Sequence, residues 1–188
     1  MRNFWQQIKR ACGNLFTLSE QASIARWFAL PLRLIVGYGF MQHGFAKLSR
    51  GPDAFAVILQ GIGTPTPHFT AWMTILVELF GGLAILLGAF VPFASLPMSA
   101  VLIVAVLTVH LPYGFSSIKL LSMTGGQAQF GPPGYEVALL YLACLGALVL
   151  GGPGPLSVDE YIRRRMREKV QRHSPKREAQ PASEANLV

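Results

Sequence analysis

Four long apolar runs dominate the chain: residues 23–48, 69–91, 93–111 and 134–152. None alternates residue by residue, as half-buried strands would, and each holds close to the ~20 apolar residues a membrane crossing needs. Backbone groups in lipid must bond within their own segment, so each run is expected to be a helix. Pro92 is expected to mark a tight turn between the second and third, making them antiparallel neighbours. Pro31 is expected to kink or reset the start of the first helix. The stretches 49–68 and 112–133 are rich in Gly and Pro, and the second contains GGQAQFGPPG; both read as long loops and as candidate carriers of specialised function.

Composition sharpens this pattern. Only 13% of the 188 residues are charged, against about 25% in soluble domains. Between Gly51 and Gly154 the acids and bases other than histidine are Asp53, Glu78, Lys119 and Glu136. So few charges cannot make a water-facing surface. The fold class expected is an all-α integral membrane protein, a four-transmembrane-helix up-down bundle. Three regions follow: a cytoplasmic segment 1–22, a membrane domain 23–156 and a basic tail 157–188. No small-residue cleavage site follows the first run, so no removable signal peptide is expected. Of the two cysteines, Cys144 reads as a small apolar core residue; with Cys12 it forms no C-x-x-C and no disulfide framework.

Basic residues set the expected orientation. Arg2, Lys9, Arg10 and Arg26 precede the first helix, and Arg163, Arg164, Arg165, Arg167, Lys169, Arg172, Lys176 and Arg177 fill the tail. The opposite loops carry Lys47, Arg50 and Lys119. Positive charge stays inside, which puts both termini in the cytoplasm of a plasma (inner) membrane. The tail opens with a capping-box pattern at Ser157 and Glu160, expected to start a surface helix drawn to anionic head groups rather than to nucleic acid. Its end, from Ser174, reads as disordered. Residues 4–16 fit an interfacial helix with Phe4, Trp5, Ile8 and Phe16 toward the bilayer.

Laid on this topology, His43, Lys47, Glu78, His110 and Glu136 fall in one half of the bundle, on the extracytoplasmic side. Arg33, Gly37, Phe40, Gly44 and Lys47 lie within about 80° of one another on the first helix at roughly 100° per residue, with His43 on the edge of that stripe. A charge facing lipid costs on the order of 3 kcal/mol or more. Glu78 therefore needs a partner, and by depth Lys47 or His43 is favoured over Arg33. The plainer reading is a structural one: an ion pair that sets helix register, a histidine at a helix end, a dipole-complementing Glu136 and a snorkelling Lys47. His68 and His173 carry no reading.

The segments LPLRLIVGYGFMQHGFAKL, VELFGGLAILLGAF, VHLPYGF and GYEVALLYLACLGALVLGGPGPLSVD, in this order, resemble the DoxX family of small four-helix membrane proteins over roughly residues 26–160. The resemblance implies an oxidoreductase-associated subunit, linked in that family to quinone chemistry, although many members have no known activity. On that implication Glu78, His43 and Lys47 are the candidate catalytic groups. His110, Glu136, Phe40 and Trp72, with Phe45 and Phe80, are the candidate groups around a quinone. Electrons would come from a soluble or membrane redox partner. Three other readings stand beside it: haem ligation by His43 and His110, a non-enzymatic assembly or partner-stabilising role, and a small proton-coupled carrier, which four helices would serve only as a homo-oligomer. Whether the chain is an enzyme stays open at this stage.

Overall fold

The computed structural model describes residues 26–173. The N-terminal segment and the last residues of the tail, with the expectations attached to them, lie outside that range. After a short 3-10 turn at Arg26–Phe28, helix α1 runs Ala29–Arg50. Pro31 sits in its first turn, where a missing N–H leaves no helical bond unmade. Gly51, at φ 94°, ends it, and α2 follows at Pro52–Gly61. Then come α3, Pro67–Leu87, and α4, Val91–Tyr113. A two-stranded antiparallel hairpin, β1 Leu120–Thr124 and β2 Gln127–Phe130, precedes α5, Glu136–Gly151. Helix α6, Val158–His173, closes the described chain.

The four apolar runs are helices, within a few residues of the expected bounds. Among the described helices, α3 (21 residues) and α4 (23 residues) are long and apolar enough to cross a membrane. Only 28% and 17% of their most apolar windows are buried. An apolar helix that keeps most of its surface uncovered is not the core of a water-soluble fold; these two present Phe69, Phe80, Leu83, Phe93, Leu96 and Leu107 outward. Helix α1 is 22 residues long but holds Arg33, Gln42, His43, Lys47 and Arg50. Helix α5 is apolar but has 16 residues, starting later than expected. Gly134 and Tyr135 spend their N–H groups on Ser116 and Gly114 carbonyls instead of opening a helix.

Both expected loops contain regular structure. The first holds α2, whose Ala56 and Leu59 pack on Ala71 of α3. The second holds the hairpin, turned by Gly125 and Gly126, both at positive φ. That pair of left-handed residues makes the tight connection whose twist matches two antiparallel strands. The break between α3 and α4 is at Gly88–Phe90, not at Pro92, which lies in the first turn of α4.

Small residues let α1 and α3 touch. Gly37 faces Gly82 and Leu86, and Gly44 faces Glu78 and Leu79, so the two helices run in opposite directions. Helix α5 lies along another side of α1, with Tyr141 against Gly39 and Phe40 and Phe28 against Gly151. The shared core is Ala29, Val36, Phe40, Ile85, Val91, Met98, Leu145 and Leu148. Cys144 is half-buried at its margin.

Opposite the expected polar layer is a second buried polar group. Arg33 is 2% exposed and donates to the carbonyls of Ile85, Leu86, Pro153, Pro155 and Leu156. It ties the end of α3 to the strand of chain entering α6. Asp159, one residue into α6, accepts from Phe90 N–H at 2.7 Å and Val91 N–H at 3.1 Å. That satisfies two orphan donors at the start of α4 and holds Phe90 at its unfavourable φ of 50°. Ser157 caps α6 by accepting from Glu160 N–H at 3.2 Å. The Glu160 carboxylate does not complete the box; it pairs with Arg26, Arg163 and Arg164. Asp159→Ala should lower stability by about 1 kcal/mol, the ordinary worth of a helix cap, read as a small fall in melting temperature. An unchanged melt would show that Asp159 does not hold this turn.

Candidate functional site

The site grows from a local irregularity. Five residues of α3, Val77–Gly81, form a π turn, and so do Val106–His110 of α4. A π turn accommodates one extra residue, which shifts the side chains beyond it around the axis, and such turns recur at functional positions. Here each carries a titratable group, Glu78 in one and His110 in the other.

Glu78 is 5% exposed. The Lys47 ammonium donates to both its oxygens, at 2.7 and 2.6 Å, and its Nζ lies 5.3 Å from the centre of the Phe55 ring on α2. An ammonium has three N–H groups, and two serve Glu78. His110 Nδ1 is 3.1 Å from the Pro133 carbonyl oxygen. That oxygen can only accept, so the proton sits on Nδ1, and Nε2 keeps its lone pair in the neutral ring.

These groups surround a cavity of about 320 Å³. His43, Lys47, Glu78 and His110 supply its polar wall, and Phe40 and Tyr141, with rings edge to face at 5.7 Å, supply an aromatic one. Val101, Leu102 and Ala105 of α4 and Pro133, Gly134, Val137 and Ala138 close it. His43 and Lys47 also line a smaller adjoining cavity of about 220 Å³ with Arg50, Ala54, Phe55 and Ile58. The arrangement offers hydrogen-bond donors, two imidazoles and an ion pair beside a flat ring surface.

Residues 28–111 match the model of the DoxX family. This stretch resembles a DoxX domain. Comparison with curated proteins and with solved structures gave no match. The DoxX match contains α1 to α4 up to Leu111, and so contains His43, Lys47, Glu78 and His110. It stops short of the hairpin and α5. The cavity wall built by Pro133, Gly134, Val137, Ala138 and Tyr141 lies beyond the matched stretch. The DoxX match and two apolar, largely uncovered helices make this a membrane protein whose surroundings include the bilayer.

Five of the expected site residues converge and two do not. His43, Lys47, Glu78, His110 and Phe40 share the cavity. Glu136 turns away, accepting from the Ser117 N–H at 3.0 Å, and so pins the loop after α4. Trp72 is 48% exposed and lines none of it; Phe45 and Phe80 also face outward. Phe45 and Phe80, each two residues from a member of the ion pair, lie on the far side of their helices from it. Tyr141 takes the place expected of these rings, and nothing in its apolar run marks it out beforehand. His68, of which nothing is expected, has its Nδ1 3.2 Å from Asp53, joining the first turns of α3 and α2. That exposed pair is worth little, about 0–1 kcal/mol. Among the described residues no group of three or more His, Cys, Asp or Glu is placed to hold a metal ion.

Removing one partner of the ion pair leaves the other charge buried alone, which costs about 3–5 kcal/mol. Lys47→Met should therefore destabilise strongly, and the double variant Lys47→Met, Glu78→Leu should recover most of the loss. Thermal melts of the three proteins in one detergent check this. Equal melting of the single and double variants would show that the pair is not desolvated.

Proposed function

We propose that this protein is a four-span membrane subunit that binds a quinone, or a similar small redox molecule, in the cavity around Lys47 and Glu78. Helices α1, α3, α4 and α5 all cross the bilayer in this reading, with both termini in the cytoplasm of a plasma (inner) membrane. The excess of Arg and Lys in the tail and before α1 supports that orientation. The cavity then opens in the extracytoplasmic half.

The observation that carries the reading is the composition of one cavity wall: a lysine with a spare N–H, two imidazoles and a carboxylate facing two aromatic rings. About 320 Å³ is at the small end of ligand pockets, about 300–1,000 Å³, and suits a single ring better than a macrocycle. That favours a quinone head over haem held by His43 and His110, although Nε2 of His110 is free to ligate. A bound quinone supplies two-electron, two-proton redox chemistry. The residues' part is to hold and move protons. Lys47 and a protonated His43 or His110 are the donors available to carbonyl oxygens, and Glu78, with Lys47, buffers the proton count. The electrons come from a soluble or membrane redox partner.

One observation favours a second reading, a non-enzymatic assembly or partner-stabilising protein. Lys47 meets both Glu78 oxygens, and among the described residues no buried side-chain polar atom lacks a partner. A closed ion pair of that kind also serves as pure architecture.

An oxidised-minus-reduced absorbance spectrum of protein purified in mild detergent separates the readings. The result expected is a change confined to the near ultraviolet. A sharp visible band would replace quinone by haem. A flat spectrum, with a co-purifying polypeptide, would favour the structural role. Glu78→Gln should abolish quinone-dependent turnover while the folded protein remains extractable; full turnover in that variant would remove Glu78 from the chemistry.

A further inference from the structure

The hairpin at Leu120–Phe130 belongs to no part of the cavity, yet its two faces differ sharply. Leu120 pairs with Phe130 and Met123 with Ala128, while Ser122 pairs with Gln129 and Thr124 with Gln127. Residues directly opposite in an antiparallel pair share a face. One face is thus Leu120, Met123, Ala128 and Phe130, and the other is Ser122, Thr124, Gln127 and Gln129. The sorting depends on a bulge at Leu121, between the 120 and 122 pairings. In a strictly alternating strand Leu120, two residues before Ser122, would fall on the polar face. Ser122 and Gln129 are joined by a 3.0 Å hydrogen bond across the polar side. The apolar side is uncovered: Leu120 is 57%, Met123 64% and Phe130 61% exposed.

We propose that this hairpin lies in the membrane–water interface, with Leu120, Met123, Ala128 and Phe130 among the acyl chains. The proposal rests on the reading of α4 and α5 as membrane helices. The hairpin leaves the end of α4 and returns to the start of α5, so it sits at the level where those helices meet the bilayer surface. Leu107 and Leu111 at the end of α4, and Phe115 and Ile118 on the way into the hairpin, are exposed as well. Phe115 and Tyr135, edge to face at 5.7 Å, stand at its base as interfacial aromatics. In residues 111–135 the one Asp, Glu, Lys or Arg is Lys119, whose stem can lie along lipid while its ammonium reaches water. A lone two-stranded hairpin is marginal in water and needs a surface to pack on. A second copy joined edge to edge would complete the backbone bonds but leave the apolar face bare. The Gly131 N–H bonds to the Lys119 carbonyl, closing the hairpin base two residues before Pro133, whose carbonyl orients His110. Seating the hairpin in lipid therefore steadies one wall of the cavity.

The test uses the full chain in lipid nanodiscs, with Cys12→Ser and Cys144→Ala leaving single engineered cysteines for nitroxide labels. Ser122→Cys and Met123→Cys are adjacent, exposed and on opposite faces; Leu107→Cys on α4 reports the lipid-facing helix surface. Collision with oxygen, which concentrates in lipid, and with a water-soluble nickel chelate is then measured by electron paramagnetic resonance. The result expected is several-fold greater oxygen over nickel accessibility at 123 than at 122, with 123 resembling 107. Equal nickel access at 122 and 123, with 107 in lipid, would overturn the hairpin's docking and leave the spanning helices standing. Protection of 123 from both reagents with spin–spin broadening would replace lipid by a second copy. Nickel access at 107 would overturn the spanning reading, and the docking with it.

Discussion

An Arg33→Met variant should be strongly destabilised, since each buried carbonyl left without its donor costs about 1–3 kcal/mol. All five guanidinium N–H groups are used, one on each of five carbonyls. Methionine fills much of the space but orphans those oxygens at the end of α3 and the entry to α6. Such a loss is a large fraction of the 5–15 kcal/mol a typical domain has in hand. It should appear as a collapse of the monodisperse peak when purified protein is heated and then chromatographed. Arg33→Lys should recover only part of it. A compact ammonium has three donors and cannot span five acceptors in a planar fork. A wild-type melt for Arg33→Met would mean that water serves those carbonyls equally well.

Gly37→Ala should also be damaging, through sterics alone. A Cβ at Gly37 would lie 2.7 Å from the Gly82 carbonyl oxygen and 2.8 Å from the Leu86 nitrogen. Both are backbone atoms of a helix, so neither can swing aside as a side-chain tip would. The helices must separate, thinning the core at Val36, Phe40 and Ile85 and pulling Lys47 from Glu78. Overpacking of this kind costs about 1–3 kcal/mol or more. Gly146→Ala on α5 is the matched control. Nothing lies within 4 Å of its added methyl, and alanine favours a helix over glycine by up to about 1 kcal/mol. The two variants should therefore move the melting temperature in opposite directions. A Gly37→Ala protein as stable as Gly146→Ala would show that α1 and α3 do not touch at these glycines.

Much of this was legible in the residues. Long unbroken apolar runs and a shortage of charge pointed to helices in lipid, because the runs do not alternate as barrel strands would and a helix satisfies its own hydrogen bonds there. The i, i+3, i+4 spacing of Gly37, Phe40, Gly44 and Lys47 placed one packed, partly polar stripe on α1, since helical geometry alone fixes which residues share a face. Expecting Glu78 to find Lys47 or His43 followed from the cost of a lone charge in that setting. The Gly-Pro-rich segments misled for a plain reason: those residues punctuate structure, and punctuation is as dense around a ten-residue helix or a tight hairpin as in an irregular loop.

Arg33 shows where sequence stops. Its residue type demands acceptors, but those it found are backbone carbonyls, which every residue owns and no sequence advertises. The same holds for Pro133 and His110, and for Asp159 at the start of α4. Trp72 and Tyr141 differ in a related way. Both are aromatic residues in apolar helices, equally suited to a ring wall or to lipid. Which of them faces the cavity depends on how each helix is rotated in the bundle, and the π turns at Glu78 and His110 change that rotation midway along α3 and near the end of α4. From its sequence alone this chain determined its solvent, its helices and its need for a charge pair. Tertiary packing decided which side chains close around one cavity, because convergence depends on rotations and chain reversals summed over the whole fold.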